Sequence, residues 1–134
     1  MAPDVLKELQ KLKTDIDNLD QNIHIELDSV IKRVNDGENT KAIKDLAKIV
    51  ENNLKVKVEN DTKFKNKPML HNLLEHALNC KWISNRQYEN GMLLKEIRNK
   101  ESHELAVKEE SINIGIAIFA GIDILYSVSK INNN

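Results

Sequence analysis

The stretch Ser111 to Val128, SINIGIAIFAGIDILYSV, decides the fold. Ile112, Ile114, Ile116 and Ile118 alternate, the period of a half-buried strand. Phe119, Ile122, Leu125 and Val128 then step by three, the period of a helix. No turn-forming pair separates the two halves, so one conformation must serve both. The spacing predicts a single long helix that starts near residues 102–104. Between Ile112 and Leu125 it is apolar nearly all round, which implies burial on most sides. A small bundle rarely buries one helix completely, so a second copy of the chain is expected to cover what is left.

The rest of the chain supports helices. Only 4 Gly and 2 Pro occur in 134 residues, too few punctuators for a turn-dense sandwich or barrel. The expectation is an all-α, up-and-down helical bundle with a long N-terminal helix, in a single domain of residues 1–134. Val5, Leu9, Leu12, Ile16, Leu19 and Ile23 step by four and three alternately, a heptad-like seam. Leu27, Val30, Ile31 and Val34 continue it after a shift, until Asn35-Asp36-Gly37. Residues 1–36 thus form a heptad-like helix or arm, and 40–131 a bundle. Ile43, Leu46, Ala47, Val50, Leu54 and Val58 predict a second helix, although Leu54-Lys-Val-Lys-Val58 also alternates as a short strand would. Residues 60–67 read as a polar loop. Leu70, Leu73, Leu74, Ala77 and Leu78 form the stripe of a third helix. Ser84-Asn-Arg-Gln87 matches a capping box, flanked by Ile83 and Tyr88 at staple positions; the fourth helix follows with Met92, Leu93, Leu94 and Ile97.

Composition excludes several classes. The one cysteine, Cys80, rules out an internal disulfide, and no His/Cys cluster around it suggests a metal; no cofactor is expected. The longest uncharged run, Ser111 to Ile122, is too short to span a bilayer, and the N-terminus resembles no signal peptide. A cytoplasmic protein without a membrane partner is expected. Net charge is -1, so nothing draws the whole chain to nucleic acid. The charge is uneven, however. Residues 1–40 hold five Lys or Arg against nine Asp or Glu, and residues 41–67 hold eight Lys against four acids. This basic middle would favour phosphate binding only if it shared a face with the chemistry described next.

That chemistry is Arg98-Asn99-Lys100-Glu101-Ser102-His103. Arg is a permanent cation whose fork suits phosphate oxygens, and His moves protons near neutral pH. Metal-free RNA cleavage needs such a pair: a base for the ribose 2′-OH and a cation for the oxyanions of the transition state. Positions five apart on an unbroken helix lie about 140° apart. Convergence therefore needs a break between Asn99 and Ser102, or supply from two chains. The bland alternative places Arg98 at a helix C-terminus, where its charge suits the dipole, and His103 at the next helix start. Elsewhere, His71 and Glu75 are four apart and could share a metal, but with no further ligand visible they read as surface or core-edge residues. His76 and Asn79 are candidates for polar groups facing the motif, and Trp82 reads as a packing anchor.

Arg98-Asn99 followed by His103, between a capped helix and a long apolar one, resembles the signature of the HEPN superfamily (higher eukaryotes and prokaryotes nucleotide-binding). The run from Ile83 to His103 is similar to the equivalent helix of its abortive-infection-like bacterial branches. The resemblance implies a helical bundle that dimerises with its motif near the two-fold axis. It also implies a metal-independent endoribonuclease of a toxin–antitoxin or phage-defence system, with RNA as substrate and an antitoxin or regulatory protein as partner. In that reading His103 transfers the proton, Arg98 stabilises the scissile phosphate and Asn99 orients the site. The alternative is a non-catalytic HEPN-like helical module for dimerisation or protein interaction.

Overall fold

A computed structural model of the chain describes residue 7 together with residues 21–99 and 111–131. These are organised in five α-helices with no strand among them: α1 (Gln21–Asn35), α2 (Asn39–Val58), α3 (Leu70–Asn79), α4 (Asn85–Asn99) and α5 (Ser111–Ser129). The all-α expectation holds. The greater part of the N-terminal heptad arm, from Val5 to Leu19, lies outside the described residues, and so does His103.

Helix α1 buries Ile23, Leu27, Val30, Ile31 and Val34, the residues whose spacing marked it. It ends where Gly37 takes φ 76°, a left-handed conformation that costs glycine little. There Gly37 N–H bonds Val34 C=O at 3.1 Å and Glu38 N–H bonds Arg33 C=O at 2.8 Å, the double closure of a Schellman end. The chain then turns into α2. Arg33 holds the hairpin shut, with Nε 2.6 Å from Asp45 Oδ2 and Nη1 3.0 Å from Glu38 Oε2.

Helix α2 is the hub and packs against each of the other four helices. Its buried residues, Ala42, Ile43, Leu46, Ala47, Ile49, Val50, Leu54 and Val58, wrap well beyond one stripe because it has neighbours on several sides. The competing strand at 54–58 does not form. As a helix, the segment puts Leu54 and Val58 inside and leaves Val56 63% exposed. Burying two of the three apolar residues within a continuous hydrogen-bond ladder outweighs that exposure.

Glycines set the closest approaches of α5. A Cβ on Gly121 would lie 2.6 Å from Leu46 Cδ2, and one on Gly91 would lie 2.9 Å from both Ile124 and Leu74 side chains. The missing side chains thus let Leu46 of α2 pack onto the backbone of α5, and Ile124 of α5 and Leu74 of α3 onto that of α4. The alternating isoleucines of α5 resolve as a helix, with Ile118 buried and Ile116 40% exposed. Most of α5 is covered by its own chain: Ala117, Ile118, Ala120, Ile122, Ile124, Leu125 and Val128 are all buried. Among the side chains of α5 whose burial is described, the exposed apolar residue is Ile116, with Phe119 and Tyr126 half-buried.

The capping box at the start of α4 is formed as predicted. Ser84 N–H donates to Gln87 Oε1 at 2.8 Å and Gln87 N–H to Ser84 Oγ at 3.1 Å. Gln87 also donates to Ser127 Oγ at 2.7 Å and to Asp123 Oδ2 at 3.2 Å, which ties the α4 start to α5. No helix among the described residues is long and apolar enough to cross a membrane.

Candidate functional site

Arg98 occupies the last turn of α4. Ile97, its neighbour, is buried, so the helix is anchored on its inner side while Arg98 reaches across to α2. Its Nη1 lies 3.1 Å from Glu51 Oε2, and its Nε donates to Asn99 Oδ1 at 3.3 Å. Asn99, predicted to orient the site, does contact the guanidinium, in a long hydrogen bond. Glu51 has a second partner: Lys55 Nζ, one turn on, lies 3.3 Å from its Oε1. One carboxylate thus bridges two cations.

These residues open onto a groove of about 590 Å³ between α2, the start of α3 and the end of α4. Among the described residues, Lys55, Lys67, Lys95 and Arg98 supply four permanent positive charges to its lining, against one carboxylate, that of Glu51. Lys67 and Lys95 make no ion pair among the described residues. Pro68, Met69 and Leu70 form an apolar edge, with Met69 60% exposed. The basic middle segment therefore does share a face with Arg98, through Lys55 and Lys67.

Glu51, His71 and Lys95 join the groove without a mark in the sequence pattern. Glu51 is 47 positions from Arg98, a separation no local pattern reveals. His71 lines the groove, whereas His76, the candidate for facing the motif, does not. The two are five positions apart on α3, hence on different faces. His71 Nε2 lies 3.3 Å from Glu75 Oε2, and both side chains are exposed, in line with the surface role expected of them. His76 instead has its Nε2 2.8 Å from Asp61 Oδ2, with its ring edge-on to Phe64 and Trp82. Trp82 packs against the core as predicted.

A second cavity, of about 580 Å³, lies between the start of α4 and α5, lined by Arg86, Gln87, Ile116 and Asp123 among others. Its one arginine is matched by one aspartate, so it gathers no net charge. Positive charge collects at Arg98. No protein-family model, curated protein or solved structure matches the chain.

Proposed function

We propose that the chain is a HEPN-like, metal-independent endoribonuclease that acts as a homodimer. Arg98 would hold the scissile phosphate and His103 would move the proton, with Asn99 keeping the guanidinium in place. His103 would take the proton of a ribose 2′-OH; the freed oxygen attacks the adjacent phosphorus, and the bond to the 5′ oxygen of the next nucleotide breaks. The observation that carries the reading is the cluster of four cations around one groove, with Arg98 among them. It offers a track for the phosphates flanking a cleavage point on a chain whose net charge of -1 provides no general attraction. A toxin–antitoxin or phage-defence role, with an antitoxin or regulator as partner, belongs to the same proposal.

One observation favours the second reading, a non-catalytic helical interaction module. Arg98 is already paired with Glu51, so a phosphate has to displace a carboxylate to reach it. The test compares cleavage of an RNA pool by wild type, His103→Ala and Arg98→Ala in the presence of a chelator. Activity in the wild type alone supports the enzyme. No wild-type cleavage, with retained RNA or protein binding, favours the module.

A further inference from the structure

We propose that Asp61, His76 and Cys80 form a site for zinc or a zinc-like divalent ion, apart from the Arg98 groove. Three donor atoms of different kinds converge there. His76 Nε2 lies 2.8 Å from Asp61 Oδ2 and 3.4 Å from Cys80 Sγ, and the three ligand atoms all lie within 4.8 Å of one another. Zinc bonds of about 2.1 Å to N and O and 2.3 Å to S, at tetrahedral angles, require donor separations of roughly 3.4 Å (N···O) and 3.6 Å (N···S). The cluster needs to open by only about 0.6 Å and 0.2 Å on those two edges.

Local structure holds each donor in place. His76 and Cys80 are four apart at the end of α3, so they share one helix face. The helix terminates just after them in a Schellman closure: Trp82 N–H bonds Ala77 C=O at 2.8 Å and Lys81 N–H bonds Leu78 C=O at 3.0 Å. Asp61 comes from the loop after α2. Its Oδ1 accepts the Lys63 backbone N–H at 2.9 Å, which leaves Oδ2 turned toward His76. Phe64 and Trp82 stand edge-on to the imidazole at 5.2 and 5.5 Å between centroids and limit its rotation. Such supporting contacts are what fix ligand orientation in metal sites.

A Cys–His–Asp catalytic relay fits less well. A relay uses both imidazole nitrogens, one toward the nucleophile and one toward the carboxylate. Here Asp61 and Cys80 meet the same nitrogen, Nε2. A metal fits that convergence: it replaces the shared hydrogen and releases the thiol proton to solvent on binding. His76 and Asp61 side chains retain 12% and 21% exposure, so ion and water can reach a fourth position. The ion would pin the loop over residues 60–69 to the end of α3.

The full chain, stripped with a chelator, is titrated with cobalt(II) and then with zinc against a chromophoric competitor. One equivalent should bind, with a thiolate-to-cobalt charge-transfer band in the near ultraviolet that zinc abolishes. Cys80→Ser should lose the band, and Asp61→Asn should weaken zinc at least tenfold, each with unchanged far-ultraviolet circular dichroism. Absence of the band in the wild type, or zinc affinity unchanged in both variants, would overturn the site. If Cys80→Ser is unfolded, the band and the Asp61→Asn affinity decide alone.

Discussion

Glu51→Gln should make the chain bind RNA more tightly, because Glu51 holds Arg98 at 3.1 Å and Lys55 at 3.3 Å. Glutamine keeps the shape and can still accept a hydrogen bond from Arg98, so the end of α4 should stay docked. What changes is charge. A partly exposed ion pair of this kind is worth up to about 1 kcal/mol, and a phosphate on Arg98 no longer has to break it. A phosphate lodged ~6 Å from the carboxylate would also be relieved of roughly 0.7 kcal/mol of repulsion in a watery dielectric. Together these give a gain of about tenfold in affinity at low salt. One more cation becomes available to a phosphate, so the dependence of log K on log salt should steepen by about 0.7 for a single strand. Fluorescence anisotropy of a labelled single-stranded RNA, measured over a series of salt concentrations, reads both quantities. Affinity and slope equal to the wild type would mean that RNA does not use this groove. Lys67→Ala and Lys95→Ala are the opposing controls and should weaken binding and flatten the slope.

Three further outcomes follow from the packing and the charges. Gly121→Ala places a methyl 2.6 Å from Leu46 Cδ2 and 2.7 Å from its Cγ; overpacking of about 1–3 kcal/mol should exceed the ~1 kcal/mol of helix propensity gained, so the urea midpoint should fall. Lys81 stands at φ 62°, where a side chain costs about 1–2 kcal/mol; Lys81→Gly should therefore raise thermal stability by a net ~0.5–1 kcal/mol after glycine's larger chain entropy is subtracted, visible by calorimetry. The hydrogen bond to His76, followed by that from the Lys63 backbone, lowers the Asp61 carboxyl below its ordinary value of 3.8. A folded-state value below the unfolded one adds stability that is complete above the unfolded pKa and lost as pH falls through the folded one. In chelator-treated protein, the difference in urea midpoint between wild type and Asp61→Asn should be present at neutral pH and disappear in strong acid.

Local periodicity carried most of the architecture. The stripes of α1, α2 and α3 and the Ser84–Gln87 box were legible because each depends on residues within one or two turns. The alternation at Ile112–Ile118 was ambiguous in itself, and the continuous helix followed from the missing turn residues rather than from the isoleucines. Lys81 was invisible as a helix stop because the signal for that conformation is glycine, and here a lysine is forced into it by the closure through Ala77 and Leu78. Of the predicted site, Arg98 and Asn99 do meet, being neighbours on α4, while their relation to His103 lies outside the described residues. Glu51 and Lys67 join Arg98 only through the packing of separate helices, which pattern does not encode. The zinc-type cluster illustrates the same limit: His76 and Cys80 show an i, i+4 spacing, but Asp61 lies 15 positions from His76 across a loop.

The hub position of α2 has a consequence for how the molecule opens. Because α2 touches each of the other four described helices, freeing it takes more of the fold apart than detaching a helix at the rim, so its buried-side amides should be among the last to exchange with deuterium. Among the described helices, α1 packs chiefly on α2, and Arg33 bridges the two. Helix α1 can therefore detach as a unit at a lower free energy. That partial opening would bare one flank of α2 while the Arg98 groove, which α2 builds with α3 and α4 toward its C-terminal end, stays assembled.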